Sequence, residues 1–470
     1  MPEKYHIKTQ MIPPRRPRIG KFGVVDWRED CAGCHNCAKR ACVFDRYRQE
    51  TKYIRDADSV DAMFFECMGC FSCVQRCTKG LLSLSINPAY ERLGNSYWTP
   101  EIILATWNQA ETAAIPVSGA GYRGKFSGPG FDAMWTDMSE IVRPTRDGIH
   151  GREYISTAVD IGRKPTVLNF DGEPSAKVAP PALVDLPMPL IIDIMPPEYR
   201  LPGLLPSLEG VAVRTGLIAI VDARDWELLG SVEDKDLPHL AFYLDKDTPV
   251  PSAELLRKTR LVEVSDGITV LQRIRELKSI SPGIVVAVRV PLDSGGTERA
   301  IQLAHESAVE AIHIVADSNG NQVGVENPKF IKDMTRQVHT ALVKSGVRDG
   351  VTIMAGGGVA LAEHLAKEII CGADVVTVNL PMLIALECRL CKECRSGPSC
   401  PVELDQITLD YSVGRMTNLV SAWHDQLIEV MGAMGIRDAR RLRGEVGRAM
   451  FFEEIEEETF GKFFGSRKAK

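Results

Sequence analysis

No stretch of this chain is apolar for the ~18 residues that a membrane-spanning helix needs. Its start, MPEKYHIKTQMIPPRRPRIG, lacks the apolar core of a secretory signal. Positive charge is not in surplus either: 56 Lys and Arg face 62 Asp and Glu, a formal net charge of −6. A polybasic nucleic-acid binder is thereby excluded, because phosphate contacts need a cationic surface. With 44% hydrophobic and 25% charged residues, the chain is not poor enough in core formers to stay disordered along its length. Its 470 residues suffice for several domains, or for one barrel with attachments. The basic cluster Arg15, Arg16 and Arg18 reads as a solvated face or a partner contact. The expectation is a cytoplasmic protein without a membrane span.

Cysteine, by contrast, is abundant: 13 residues, of which 12 fall into three tight clusters. A disulfide framework suits small secreted domains, and Cys-x-x-Cys spacing in a long chain without a signal suits metal chelation better. The first cluster is Cys31, Cys34, Cys37 and Cys42; the second is Cys67, Cys70, Cys73 and Cys77. Three thiolates at a two-residue spacing wrap one corner of a cubane, and the remote fourth cysteine usually completes the other cluster. That pairing joins Cys77 to the first triplet and Cys42 to the second, giving two 4Fe–4S sites. The doubled pattern resembles the bacterial two-cluster ferredoxins, except that Val43 and Thr78 replace the usual proline. Zinc is the competing metal for four thiolates, but adjacent triple-cysteine runs have no zinc-finger logic. The third cluster is Cys388, Cys391, Cys394 and Cys400, followed by Pro401. It offers all four ligands of a third 4Fe–4S cluster, or three of a 3Fe–4S cluster. Cys371, in an Ile-Ile-Cys-Gly-Ala run, reads as a buried structural thiol.

Between Pro189 and Leu380 short β-rich runs alternate with amphipathic segments. The runs are Leu190–Asp193, Ile218–Val221, Leu240–Tyr243, Leu261–Val264, Val285–Val290, Ile312–Val315, Thr352–Ala355 and Val375–Val378. Ile268–Lys278, Glu298–Ser307 and Pro328–Lys344 are long enough for crossover helices. Eight strands, each followed by a helix, describe an α/β fold of (β/α)8 barrel type. Chemistry in such barrels sits at the C-terminal ends of the strands. There lie Gly356-Gly357-Gly358 after the seventh run and Asn379 after the eighth. Glycines let backbone amides approach a phosphate, and a helix starting near Leu361 adds positive potential.

The run MAGGGVALAEHLAKEIICGADVVTVNLPMLIALECRLCKECRSGPSCPVELDQI resembles the end of the FMN-binding synthase domain of glutamate synthase. The Gly-Gly turn, the Gly-Ala-Asp lead into the last strand, an apolar helix and a cysteine cluster ending Cys-Pro-Val occur in that order. The two-cluster module before it is similar to the arrangement in archaeal-type glutamate synthases, and AWHDQLIEVMGAMGIRDARRLRGE resembles their C-terminal helices. The resemblance implies FMN, with its phosphate at Gly356, Gly357 and Gly358 and further contacts from Ser318, Asn379 and Arg289. It also implies catalytic positions at Arg289, Asp317 and Asn319. Two departures stand out. The fifth run carries Arg289 where the family has lysine, and Asp317-Ser318-Asn319-Gly320 replaces a glycine-rich loop. The family's glutaminase domain, with its N-terminal cysteine, is not in this sequence, which begins Met1-Pro2.

The resulting division is residues 1–88 as a ferredoxin-like module, 89–188 as a connecting segment on the barrel and 189–387 as the FMN-binding barrel. Residues 388–404 form a third cluster loop and 405–470 a C-terminal helical tail. Clusters carry one electron each and a flavin takes two, so such a chain joins one-electron carriers to two-electron chemistry. The expected function is an iron–sulfur flavoprotein oxidoreductase acting as an electron-transfer subunit. The alternative is a ferredoxin-dependent glutamate synthase using ammonia from a partner glutaminase. Expected partners are ferredoxin or other redox subunits, and a separate glutaminase or NAD(P)H-oxidising subunit. Oxygen-sensitive clusters imply an anaerobic organism. Arg143, Arg146, His150 and Arg152 are a polar group that fits either a ligand site or ordinary surface pairing. His313 reads as packed within the sixth run, His239, His305 and His364 as surface or helix-face residues, and Trp98 and Trp107 as core.

Overall fold

In a computed structural model of the chain, the structure describes residues 5–26, 43, 70–115, 130–136, 154–165, 181–197, 202–391, 400–461, 463 and 465. Strands β1 (Phe22–Asp26) and β2 (Leu82–Ile86) pair antiparallel, with helices α1 (Ser72–Arg76) and α2 (Pro88–Glu91) on either side of β2 in sequence. Helix α3 (Pro100–Thr112) and β3 (Met134–Thr136) follow, and β4 (Val159–Ile161) pairs with β5 (Val184–Leu186).

Eight parallel strands then close into a barrel. They are β6 (Leu190–Ile192), β7 (Ala219–Asp222), β8 (Leu240–Leu244), β9 (Leu261–Ser265), β10 (Val285–Pro291), β11 (Ala311–Val315), β12 (Thr352–Gly356) and β13 (Val375–Val378). Each lies within one residue of its expected position. Every residue of β6, β7, β12 and β13 is buried, because parallel strands are covered by the lumen on one face and by helices on the other.

The outer layer is α4 (Leu205–Thr215), α5 (Ala253–Lys258), α6 (Val270–Ile280), α7 (Gly296–Ala304), α8 (Ile331–Lys344) and α9 (Ala362–Cys371). Two features depart from the simple alternation. After β7 there are only 3-10 helices, Ala223–Leu229 and Leu237–His239: Asp222 accepts the Arg224 N–H at 3.0 Å, and Gly230, at φ 73, ends the first. After β13 comes the short α10 (Leu380–Ala385), then the third cysteine run, then the long α11 (Leu409–Ala433). Helix α11 packs against both α4 and α9, the helices that follow β6 and β12. Since β13 lies between those strands, α11 fills the eighth helical position. Residues 409–433 therefore belong to the barrel layer and not to a separate tail, and the cysteine run is an insertion in the last strand-to-helix connection. Beyond it, β14 (Ala449–Phe451) pairs with β3 and leads into α12 (Phe452–Glu456).

The N-terminal arm lies on this layer. Tyr5 donates to the Thr215 carbonyl at 2.6 Å, Ile12 N–H to the Glu111 carbonyl at 2.9 Å, and Asn418 to the Gln10 carbonyl at 2.8 Å. Arg18 pairs with Glu111, and Arg16 with Glu403 at 2.5 Å. Arg15 and Arg18 are exposed, in keeping with a solvated face, and Arg16 and Arg18 are paired with acids of their own chain. Arg415, 1% exposed, ties the arm to the barrel by donating to the carbonyls of Ala385 at 2.6 Å, Ile12 at 3.1 Å and Trp107 at 3.2 Å.

Candidate active site at the barrel mouth

The C-terminal strand ends bring together a buried polar network that spans five strands. Arg289, near the end of β10, points into the lumen. Its guanidinium makes a two-pronged contact with Asp193, at 2.8 and 2.9 Å, and a third bond to Glu263 at 2.9 Å. His313 on β11 bonds through Nδ1 to the other Glu263 oxygen, and its Nε2 lies 2.9 Å from the Thr377 hydroxyl on β13. Glu263 and His313 are fully buried, and Asp193 nearly so. Burial works against the charge on Asp193, but Arg289 and His313 outweigh it and hold the carboxyl below its ordinary range. Burial likewise opposes the Arg289 charge, and Asp193 and Glu263 push its pKa up further than burial pulls it down. The Tyr243 ring centroid lies 5.5 Å from the guanidinium carbon. Burial, and then the Asp245 charge, push the Tyr243 hydroxyl up to about 12, so it is a neutral donor at ordinary pH.

The loops after β11 and β12 are pressed together backbone to backbone. Gly357 and Gly358 have φ of 108 and 69. A Cβ at Gly357 would lie 2.7 Å from the Asp317 carbonyl oxygen, and one at Gly358 would lie 2.6 Å from the Gly320 nitrogen. Asp317 holds this loop from inside by accepting the N–H groups of Asn319 at 2.9 Å and Asn321 at 2.8 Å. It thus caps the loop. The Ser318 carbonyl accepts the Trp98 indole N–H at 2.8 Å, and the Asn319 side chain lies 3.4 Å from Asn95. Tyr97 donates to the Gly358 carbonyl. Asn379 caps α10, accepting the Leu380 N–H at 2.7 Å and donating to the Ile194 carbonyl at 3.2 Å. No side chain caps α9, whose first turn follows the glycine loop.

Among the described cysteines none forms a disulfide. Cys388 and Cys391 leave α10 through two residues in the left-handed region, Glu387 at φ 70 and Leu390 at φ 50. The Leu390 N–H points at the Cys388 sulfur at 3.5 Å, and the Arg389 carbonyl accepts the Gly94 N–H at 2.9 Å. Glu387, 4% exposed, accepts the Arg15 N–H at 2.7 Å and the Tyr411 hydroxyl at 2.9 Å. Cys400 starts the return, and its carbonyl accepts the Glu403 N–H at 3.0 Å. In the second run Cys70 is exposed and Cys73 buried. The Cys77 sulfur accepts the Leu81 N–H at 3.3 Å. That bond, then one from Lys79, lowers the Cys77 thiol pKa, as suits a thiolate metal ligand. Cys31, Cys34, Cys37, Cys42, Cys67 and Cys394 lie outside the described residues, as do Arg143, Arg146, His150 and Arg152. Cys371 is fully buried, and burial raises its thiol pKa well above the ordinary value.

Residues 250–437, from just before α5 to just past α11, match the conserved region of glutamate synthase. The barrel thus carries the conserved region of glutamate synthase over these residues. The chain is similar to an archaeal-type glutamate synthase [NADPH] of Dehalococcoides mccartyi, 24% identical over 90% of this chain and 93% of that one. It is similar to the archaeal glutamate synthase [NADPH] of Archaeoglobus fulgidus, 23% identical over 96% of this chain and 97% of that one. The Thermotoga maritima relative is 24% identical over 92% and 95%. Among solved structures, the flavin-binding domain of baker's yeast flavocytochrome b2 is similar at a TM-score of 0.41 and 10% identity, covering 81% of this chain and 84% of that one. The matched region and the archaeal-type relatives together support an oxidoreductase.

Sequence reasoning found Arg289 but not its partners. Asp193 and Glu263 sit in runs that read as plain β-strand, and a strand-facing acid is visible only once the register is known. The one usable signal was Glu263 itself, a charge inside an apolar run. His313 is packed, as expected, and it is also wired to Arg289 through Glu263. His364 lies on a helix face, one of its two expected places, but that face is buried: it is 3% exposed, its ring lies 4.8 Å from that of Phe131, and its Nδ1 accepts the Ala360 N–H at 3.2 Å. The helix face that carries it is covered by the turn Gly130–Ala133, a long-range contact that periodicity cannot reveal.

Proposed function

We propose that this chain is an iron–sulfur flavoprotein of the glutamate synthase family that passes electrons between 4Fe–4S clusters and FMN, as a subunit of a larger redox complex. The observation that carries this reading is the shared mouth: the glycine loop after β12 and the cysteine run after β13 leave neighbouring strands on one end of the barrel. The residues fit the groups. Gly356, Gly357 and Gly358 offer backbone without side chains, and the uncapped start of α9 leaves amides and dipole for a phosphate. A Cβ at Gly356 would also collide with the Thr377 hydroxyl, so glycine at that position serves packing as well.

Cys388, Cys391, Cys394 and Cys400 would hold the cluster nearest the barrel, and the N-terminal runs the outer two. Bound FMN supplies two-electron chemistry, and the clusters divide it into single steps. Arg289 sits where it can face the flavin's N1–O2 edge. Three of the five guanidinium donors are committed to Asp193 and Glu263, which fixes its plane. The interlocked loops after β11 and β12 hold the pocket wall rigid, with Tyr97 and Trp98 covering them against water.

Ferredoxin or another redox subunit is the proposed partner, and an NAD(P)H-oxidising subunit or a separate glutaminase would complete the complex. Protein purified anaerobically should release one FMN and contain about twelve irons with matching acid-labile sulfide. Stoichiometric zinc without sulfide overturns the cluster assignment. Turnover with reduced ferredoxin, 2-oxoglutarate and either ammonia or glutamine should give no glutamate; formation at about 1 s⁻¹, an ordinary enzyme rate, overturns the electron-transfer reading.

A further inference from the structure

We infer that Asp193 is a specificity-determining residue that closes Arg289 to carboxylate ligands, so that the barrel mouth accepts neutral or cationic groups in preference to oxo acids. The inference rests on the reading of this mouth as the ligand site. Arg289 is the one cation of the five-strand network whose charge does not depend on pH, and a guanidinium is the natural partner of a substrate carboxylate, which it grips with two parallel N–H donors. Asp193 already occupies that grip, with one oxygen on each terminal nitrogen at 2.8 and 2.9 Å. Glu263 takes a further donor at 2.9 Å, so the guanidinium faces two carboxylates of its own chain.

An incoming carboxylate would have to displace Asp193. The Asp193 side chain is 3% exposed, and among the described residues its remaining partner is the Ile194 N–H at 2.8 Å. Displacement would strand a buried anion, which is far costlier than losing a surface pair. It would also bring a third negative charge into a space with one permanent positive one. The neighbouring acids add to this. Asp222 at the end of β7 is committed to Arg224, and Asp266 just past β9 to Arg299 on α7, so these arginines too are matched by internal acids. A neutral amide or an amine meets none of these penalties.

The test is calorimetric titration of the protein as purified anaerobically with 2-oxoglutarate and, as an uncharged control of similar shape at the oxo end, pyruvamide. Wild-type protein should bind 2-oxoglutarate more weakly than about 1 mM. Asp193→Asn keeps the shape, removes the charge and frees the fork. It should bind 2-oxoglutarate at least about tenfold more tightly than wild type, a 1.4 kcal/mol change, with pyruvamide binding unchanged. A merely structural role for Asp193 would shift both ligands together. Asp193→Glu retains the charge and should stay closed. Wild-type binding of 2-oxoglutarate tighter than that limit overturns the inference, whether or not the variants fold; so does an Asp193→Asn protein that folds and gains nothing. Flavin released from the same samples reports separately on the proposed function. Absent flavin with a charge-dependent gain defeats that function and leaves the inference standing. Bound flavin without the gain does the reverse.

Discussion

Replacing Arg289 with methionine should destabilise the barrel in a way that depends on pH. The substitution keeps the length and the apolar stem but removes the charge that two buried carboxylates share. Asp193 is 3% exposed at its side chain and Glu263 is 0% exposed, so neither can turn to water. Removing one partner of a buried ion pair costs about 3–5 kcal/mol. For a domain of this size that is a fall in Tm of about 10 °C near neutral pH. In the native chain the folded-state pKa of Asp193 is depressed, so its pairing stabilises above the unfolded carboxylate range and is lost as pH falls through the depressed value. Without the guanidinium, burial lifts the same carboxyl, and the variant takes up a proton on folding. Its stability therefore rises, relative to its own unfolded chain, as pH falls. The gap between native and variant should be widest near pH 8 and narrow by half or more toward about pH 5, where a lifted carboxyl is protonated. Differential scanning fluorimetry across that range, with urea melts at the two ends, reads it directly. A gap below about 1 kcal/mol, the scale of a surface pair, would refute the reasoning, as would a gap that does not change with pH.

Three further outcomes follow from the geometry. Gly357→Ala forces a side chain onto a backbone at φ 108 and against the Asp317 carbonyl 2.7 Å away; at about 1–3 kcal/mol of strain it should weaken FMN retention roughly ten- to a hundredfold, and unchanged flavin release on denaturation would contradict it. Arg415→Met leaves the carbonyls of Ala385, Ile12 and Trp107 without their donor. The N-terminal arm should then detach, and trypsin should cut at Arg15 and Arg18 faster than in the native chain; equal cleavage rates would contradict the anchor. Cys371, fully buried and with its thiol pKa raised by burial, should resist iodoacetamide in the native protein and react in denaturant, as mass spectrometry of its peptide would show.

Much of this molecule was determined along the chain. The eight barrel strands were legible because a parallel strand buried on both faces must be a continuous apolar run, and the runs here are short and separated by turns. The glycine loop and the cysteine runs were legible because their chemistry depends on spacing of a few residues, which the sequence states outright. Other features became visible only in three dimensions. The role of α11 in the eighth outer position depends on which helices flank it, and an inserted cysteine run separates it from its strand in sequence. The absence of an α-helix after β7 rests on Asp222 turning back on Arg224, a choice between local bonds that composition does not settle. The network of Asp193, Glu263, Arg289 and His313 joins residues up to 120 positions apart, from Asp193 to His313. Within any one strand each of these looks like an isolated polar residue. Barrel closure sets four strand registers against one another, and only then do two buried acids meet one arginine.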